Sequence, residues 1–165
     1  MVNYLIIDEQ WSGQLYICLI GPANEEVMLE TLVRMKEPGT KELTDSTFEH
    51  LTQAATGATT GDWLVMFFTP GCDLCSRLTG ALETVGCQQR GRASVATVNK
   101  ETYGEKTGRR FELGLGDQPD IILFRLGKMY RYKLDKYDPE SLLSFMNGFY
   151  KNYPAETIPL PKTPL

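Results

Sequence analysis

Hydrophobic and polar positions along the chain follow two different periods, and these periods predict strands that alternate with helices. The apolar run from Leu64 to Phe68 contains no polar residue, which predicts a strand covered on both faces, as in a sheet flanked by helices. The segment from Thr69 to Gly71 ends this run, because proline and glycine do not continue a strand ladder. A helix is predicted from Cys72 onwards, since apolar residues then recur at three- and four-residue steps: Leu74, Leu78, Ala81, Leu82 and Val85.

The same alternation continues towards the end of the chain. Ser94 to Asn99 suits a second inner strand, so the order strand, helix, strand is predicted. Pro119 opens a third apolar strand, which a Gly-Lys turn joins to a further strand from Met129 to Lys133. A last helix is predicted to begin with Asp138 as its cap and Pro139 in its first turn, and to bury Leu142, Leu143, Phe145, Met146 and Phe149.

Two parts of the chain lie outside this alternation. Residues 1–38 show two strands followed by a helix from Pro22 to Met35, and they contain no functional motif. We interpret them as an N-terminal extension that packs on the main domain; a leader that does not belong to the fold is the alternative. The main domain is predicted over residues 39–153. The proline-rich residues 154–165 are predicted to be an extended linker, or else a ligand for a proline-binding partner.

Composition and charge narrow the class of protein. The chain has 165 residues, of which 42% are hydrophobic, and this suits one compact domain with an appendage. The net charge of −4 gives no electrostatic reason to expect nucleic acid or an anionic membrane as a partner. No apolar stretch approaches the roughly 18 to 20 residues that span a bilayer, so we expect these residues to make no membrane contact.

The predicted chemistry lies in Cys72 and Cys75. Free backbone N–H groups and the positive end of the helix dipole lower the pKa of a cysteine at a helix N-terminus from about 8.5 and favour the thiolate. Cys75 follows on the same helical face, within reach to close a disulfide or to attack a mixed disulfide at Cys72. This pattern predicts thiol-disulfide exchange. Half of a zinc site has the same spacing and is the alternative.

The chain has two further cysteines, Cys18 and Cys87, and one histidine. We expect both cysteines to be buried free thiols, because free cysteine is among the residues most often buried. The alternatives are a bridge between them, or a zinc site with the other pair, which is disfavoured because they are not closely spaced. His50 is expected to be an ordinary helix residue and neither a ligand nor a base, because nothing in the sequence orients it.

The segment from Phe67 to Cys75 reads Phe-Phe-Thr-Pro-Gly-Cys-Asp-Leu-Cys. It resembles the active-site segment of the thioredoxin superfamily, in particular the protein disulfide isomerase branch and the thioredoxin-related transmembrane proteins. The resemblance runs from Lys41 to about Tyr153 and includes a Leu-Thr-Asp-x-x-Phe pattern, in which Thr44 or Asp45 is predicted to cap a helix. It implies an α/β fold, a thioredoxin-like three-layer sandwich with a central mixed sheet flanked by helices, plus the N-terminal extension.

The resemblance also implies which residues act. Cys72 would be the nucleophile and Cys75 the resolving thiol, in an exchange that needs no metal and no organic cofactor. Pro119 matches the cis-proline that faces the dithiol in this superfamily. A cis bond would turn the backbone of Gln118 towards Cys72, where, with Gly71 beside it, it would bind an extended protein substrate as a short added strand.

Three departures from the family pattern bear on activity. Met66 stands where the family usually has a buried acid that relays a proton, so proton transfer at Cys75 must go through water and resolution is expected to be slow. Gly71 replaces the usual tryptophan and opens the surface above the nucleophile. Asp73 places a negative charge beside Cys72, which raises the pKa of that thiol and makes the pair more reducing than that of disulfide isomerase.

The sequence therefore predicts a thiol-disulfide oxidoreductase that acts on protein disulfides as a reductase or slow isomerase. The alternative is a redox-weak thioredoxin-like module that binds extended or unfolded client polypeptides, with Met66 and Gly71 as signs of relaxed catalysis. The expected partners are proteins with cysteines or disulfides, and no oligomeric state is predicted. The resemblance suggests the lumen of the endoplasmic reticulum, with the cytoplasm as the alternative.

Overall fold

The structure, a computed structural model, describes residues 2–9, 13–20, 38–57 and 60–162, the first two ranges as backbone strands alone. The elements in chain order are β1 (Val2–Glu9), β2 (Gly13–Ile20), β3 (Thr40–Leu43), α1 (Phe48–Thr52), β4 (Asp62–Phe68), α2 (Asp73–Gln88), β5 (Ala93–Asn99), α3 (Glu105–Arg110), β6 (Asp120–Arg125), β7 (Lys128–Arg131), α4 (Pro139–Asn147), a 3-10 helix (Phe149–Asn152) and β8 (Glu156–Thr157).

Six strands form one mixed sheet in the order β3-β5-β4-β6-β7-β8. β4 runs parallel to β5 and antiparallel to β6, so the strand that leads to the two cysteines lies inside the sheet. Both of its faces are buried, as its unbroken apolar run predicts. The expected α/β fold with a central mixed sheet flanked by helices is confirmed.

The two faces of the sheet carry different cores, because successive residues of a strand point to opposite faces. Met66 of β4 belongs to the core on the side of α2 and α4. We call this the dithiol-side core, since it contains Cys72 and Cys75; its other members are aliphatic residues, methionines, Phe145 and two tyrosines, Tyr132 and Tyr150. The neighbouring residue of β4 belongs to the other core, which we call the aromatic core after the four rings at its centre: Phe48, Phe67, Phe111 and Phe124.

Asp45 caps a different helix from the one expected. The N-cap of α1 is Thr47, which makes no side-chain capping bond, so the prediction that Thr44 or Asp45 caps this helix is wrong. Asp45 Oδ1 instead accepts hydrogen bonds from Thr107 N at 2.8 Å and Thr107 Oγ1 at 2.7 Å, in the first turn of α3. The two residues are 62 positions apart in sequence, a separation at which local spacing carries no information.

The proline-rich end of the chain differs from the extended linker expected there. β8 adds an antiparallel edge strand to β7, and Arg131 pairs with Glu156 at 3.1 Å. Ile158 is buried in the aromatic core, and Arg110 Nε donates a hydrogen bond to the carbonyl of Pro159 at 2.7 Å. An isoleucine between prolines gives this segment apolar surface to bury, which offsets the cost of ordering it.

The N-terminal extension begins with an antiparallel pair, in which β1 and β2 match the two predicted strands. The predicted helix from Pro22 to Met35 lies outside the described residues. Cys87 is disulfide-bonded, so the expectation of a free thiol at that position is wrong. The side chain of Cys18 lies outside the described part of the chain. In the described ranges no helix is long and apolar enough to cross a bilayer.

Candidate active site

Cys72 and Cys75 lie at the end of β4, where the chain turns into α2. Their Sγ atoms are bonded to each other, and their Cα atoms are 5.2 Å apart. Cys72 is the N-cap residue of α2, as predicted, and its Sγ accepts a hydrogen bond from Cys75 N at 3.0 Å. The positive end of the helix dipole and a backbone N–H group are therefore directed at the sulfur of Cys72.

Both cysteines are buried, although the residue just before them is exposed. Cys72 is 2% exposed and Cys75 is 4% exposed. Gly71, immediately before them, is exposed, and no heavy atom lies within 4 Å of the position that its Cβ would occupy. Its φ of +85° is a conformation that glycine adopts without strain and that tryptophan does not. The role of Gly71 in substrate binding stays a prediction.

Met66 lies below the dithiol and supplies no ionisable group. Its side chain is 2% exposed and packs in the same core as Cys72 and Cys75. In the sheet it stands between Thr97 of β5 and Ile121 of β6. The thioether occupies the position at which the family usually places an acid, so no carboxylate at this position can take the proton of Cys75.

An ion pair with a buried lysine lies at the same edge of the sheet, and the sequence reasoning missed it. The Lys100 side chain is 2% exposed, and its Nζ lies 2.7 Å from Oδ2 of Asp120, whose side chain is 39% exposed. Lys100 N donates to the carbonyl of Phe68 at 2.9 Å, and Asp120 stands opposite Phe67. The pair therefore joins the ends of β5, β4 and β6. The sequence signals for this ion pair were a lysine directly after an inner strand and an aspartate directly after Pro119.

Asp120 does not replace the acid that is missing at Met66. Along β6, Ile121 belongs to the dithiol-side core and Ile122 to the aromatic core. Alternation along the strand puts Asp120 on the same face as Ile122, away from the sulfurs. The carboxylate instead neutralises Lys100, whose burial requires a partner.

The loop before β6 meets the cysteine loop at one hydrogen bond, which Thr69 Oγ1 donates to the carbonyl of Gly116 at 3.2 Å. Pro119 is buried and Gln118 is exposed. The bond before Pro119 is trans, because the described residues contain no cis peptide bond, so the expected cis-proline is wrong. Trans is favoured by about 0.5–1 kcal/mol unless the surroundings hold the cis form, and residues 114–118 are exposed to solvent. The role of Gln118 and Pro119 in substrate binding stays a prediction.

Tyr132, in the dithiol-side core, and Tyr137, packed against it, remain protonated at neutral pH. Burial first, and then the negative charge of Asp138, raise the pKa of Tyr132 to about 12. Burial first, and then Asp135, raise the pKa of Tyr137. Neither phenol can therefore act as a base towards the cysteines near pH 7.

The alternative of half a zinc site is not supported, because the two sulfurs are bonded to each other. In the part of the chain that the structure describes, no group of three or more His, Cys, Asp or Glu side chains could hold a metal ion. His50 is exposed in the last turn of α1.

Fold and site together define a thioredoxin-like domain with a Cys-x-x-Cys pair at the N-terminus of its second helix. No protein-family model matches the chain. The chain is 38% identical over 119 residues to a thioredoxin domain-containing protein of Theileria parva, across 72% of this chain and 53% of the relative. It is 26% identical over 87 residues to chloroplastic 5'-adenylylsulfate reductase 1 of Arabidopsis thaliana, across 52% of this chain and 19% of that protein.

Solved structures give the same result for the fold. Full-length ERdj5 superposes with a TM-score of 0.66 at 20% identity, over 88% of this chain and 21% of that one. The Trx4 domain of ERdj5 superposes with a TM-score of 0.54 at 17% identity, over 70% of this chain and 99% of the domain. The resemblance to the thioredoxin superfamily and to domains of the disulfide isomerase kind is confirmed. The chain spans about half of its Theileria relative and about a fifth of the reductase.

Proposed function

We propose that this domain is a thiol-disulfide oxidoreductase that acts on protein disulfides, as a reductase or slow isomerase. The observation that carries the proposal is the bonded Cys72 and Cys75 pair at the start of α2, with a backbone N–H group donating to the Cys72 sulfur at 3.0 Å. The thioredoxin-like fold supports the proposal, as does the similarity to a protein named as a reductase.

In the reducing direction, the Cys72 thiolate attacks one sulfur of a substrate disulfide. A bond forms between Cys72 and that sulfur, the substrate disulfide breaks, and the other substrate sulfur leaves as a thiolate. Cys75 then loses its proton to water and attacks the Cys72 sulfur. The disulfide of the domain forms, the second substrate thiolate is released, and two electrons have passed to the substrate.

The surroundings of the pair support slow resolution and a reducing potential. Met66 offers no proton acceptor to Cys75, so the second step depends on water. Asp73 is exposed in the first turn of α2, and its carboxylate opposes a negative charge on Cys72. Solvent screens this repulsion in part, so its contribution to the potential is modest.

An insulin-reduction assay tests the proposal. Cys72→Ser removes the nucleophile, and we expect the rate to fall by at least about 100-fold. Cys75→Ser keeps the nucleophile and should accumulate a mixed disulfide with the substrate. Ser144→Ala is the control, because Ser144 is exposed on α4 and outside the cysteine segment, and it should keep the wild-type rate. Full activity in Cys72→Ser would overturn the proposal.

The second candidate function is a redox-weak module that binds extended or unfolded polypeptides. Its supporting observation is the low exposure of both cysteines, 2% and 4%, beside the exposed loop 114–118. The same assay separates the two functions. If the wild type reduces insulin no faster than a sample without protein, and Cys72→Ser still binds peptide, the result supports the binding module.

Proteins with cysteines or disulfides are the proposed substrates, and the proposed compartment is the lumen of the endoplasmic reticulum. The Cys72 and Cys75 pair supports this substrate class, because thiol-disulfide exchange requires a sulfur in the substrate. The disulfide bond of Cys87, in addition to the active-site pair, suits an oxidising compartment, where such bonds form and persist.

A further inference from the structure

A cleft of about 310 Å³ opens at the edge of the sheet opposite the dithiol. It lies between the beginnings of β4 and β5, the end of β6, the turn after α2, the C-terminal end of α4 and the 3-10 helix. Helix α2 begins beside the cysteines and ends at this cleft, and its 16 residues correspond to a rise of about 24 Å. The cleft is therefore separate from the redox site.

The charge of the cleft is opposite to that of the whole chain. Arg92, Arg125 and Lys151 line it, and Asp62 is the one carboxylate in its lining. The chain as a whole has a net charge of −4. In the described ranges neither Arg92 nor Lys151 takes part in an ion pair, so their charges lack a protein partner. This local excess of positive charge favours an anion.

Arg125 is held in a fixed orientation. Its Nη1 pairs with Asp62 Oδ2, and its guanidinium lies over the ring of Tyr150 with the carbon 5.6 Å from the centroid. Tyr150 is 8% exposed, so the ring itself is fixed by packing. A guanidinium has five N–H donors, and the pair with Asp62 leaves others for a ligand.

Gln89 supplies a second group of donors to the cleft. The residue is 7% exposed, and its backbone N–H donates to the carbonyl of Val85 at 2.9 Å at the end of α2. Its side-chain amide lines the cleft and has no hydrogen-bond partner in the described part of the chain. The N–H groups of this amide are therefore available to a ligand oxygen in the cleft.

We propose that this cleft binds a small oxyanion, either phosphate or a short dicarboxylate. Arg92 and Lys151 supply the positive charge, and Arg125 supplies oriented donors that match the oxygens of a phosphate or carboxylate. The amide of Gln89 donates to a further oxygen. The volume is at the lower end for small-molecule sites, which suits a ligand of few heavy atoms.

The test is a titration of the full chain at low salt with inorganic phosphate and, separately, with succinate, followed by NMR. We expect saturable shifts of the backbone amides of Ala93 and Asn147, which line the cleft and are unchanged in every variant, with a dissociation constant below about 10 mM for at least one ligand. The double variant Arg92→Gln, Lys151→Gln should raise this constant at least about tenfold, and Gln89→Leu about threefold or more. Saturation by phosphate alone, or by succinate alone, identifies the oxyanion.

Two controls decide whether binding is local. The double variant Arg77→Gln, Lys133→Gln removes the same charge outside the cleft and should change the constant less than about twofold. Equal weakening by both double variants would overturn the proposal, as would the absence of saturation with either ligand. Cys72→Ser should bind as the wild type does, so a failure of the redox proposal leaves this result unaffected.

Discussion

The cores on the two faces of the sheet contain different kinds of side chain. In the aromatic core the four rings lie 5.2 to 6.2 Å apart in contacting pairs, mostly tilted or edge to face. The dithiol-side core is mainly aliphatic, but it also holds the two cysteines and two tyrosines whose hydroxyl groups need partners. The aromatic core thus contains no group that takes part in the proposed redox reaction. The dithiol-side core contains the disulfide that is reduced and formed again in that reaction.

This difference predicts that the free energy of unfolding and the redox potential depend on different cores. Opening the disulfide adds two thiol groups to the dithiol-side core, and the sheet lies between them and the aromatic rings. Interdigitated aromatic side chains are rigid and lose much stabilisation when one is removed. The aromatic core should therefore set the free energy of unfolding, while leaving the redox potential of the folded domain unchanged.

The largest expected effect tests that separation. Phe111 is 1% exposed and its ring lies 5.5 Å from Phe48, 5.8 Å from Phe67 and 5.2 Å from Phe124. Phe111→Ala should lower the free energy of unfolding by about 3–5 kcal/mol, because it leaves a cavity among fixed rings. Urea denaturation measures the loss, and equilibration with glutathione measures the midpoint of the dithiol.

The control for this variant is Leu115→Ala, because Leu115 is 68% exposed and should change stability by less than about 0.5 kcal/mol. If the midpoint of folded Phe111→Ala moved along with its stability, the two faces would be coupled through the sheet. The separation of stability from chemistry would then be wrong.

The ion pair at the sheet edge predicts an intermediate effect that depends on which partner is removed. Asp120→Asn leaves the charge of Lys100 buried at 2% exposure without its counter-ion, and should cost about 3 kcal/mol. Lys100→Met leaves the carboxylate of Asp120, 39% exposed, to water, and should cost less than about 1 kcal/mol. Thermal or urea unfolding measures both.

The double variant completes this test. Asp120→Asn with Lys100→Met removes the buried charge, so we expect it to recover most of the stability lost in Asp120→Asn alone. Equal losses in the two single variants would show that the pair acts through packing and not through the burial of a charge.

Sequence patterns predicted the features that depend on neighbours in the chain. The buried strand β4, the N-cap position of Cys72 and the cap of α4 all follow local rules, and Ser141 N does donate to Asp138 Oδ2 at 2.9 Å. Phe149 shows the limit of such rules. It was expected in the buried stripe of α4, but that helix ends at Asn147 and Phe149 is 42% exposed.

Features that depend on residues far apart in the chain could not be predicted from sequence patterns. Asp45 was assigned to the nearest helix, but its partner Thr107 is 62 positions away. The lysine of the ion pair is 20 positions from Asp120, with no periodic pattern to connect them. The cleft is a clearer example, because its residues come from β4, β5, β6, α4, the 3-10 helix and the turn after α2, and a residue such as Gln89 shows its role only once these surroundings are known.

The smallest expected effect concerns pH and returns to the difference between the two cores. Tyr132 is 9% exposed in the dithiol-side core, and its hydroxyl donates to the carbonyl of Lys136. The pKa of Tyr132 is raised to about 12 in the folded domain, above the value of about 10 in an unfolded chain. The stability that its neutral form contributes is therefore complete below pH 10 and is lost as the pH rises through 12.

Tyr132→Phe isolates this contribution, because phenylalanine keeps the ring and removes the ionisable group. At pH 7 the variant should lose about 1 kcal/mol with the hydrogen bond. Between pH 10 and 12 its stability should decline less steeply than that of the wild type, since other groups still titrate but Tyr132 does not. Urea denaturation across this range measures the difference between the two slopes. Phe124→Leu, on the face without ionisable rings, is the control and should keep the wild-type slope of stability against pH. Parallel slopes in the wild type and Tyr132→Phe would contradict the prediction, because the phenol would then ionise as readily in the folded chain as in the unfolded one.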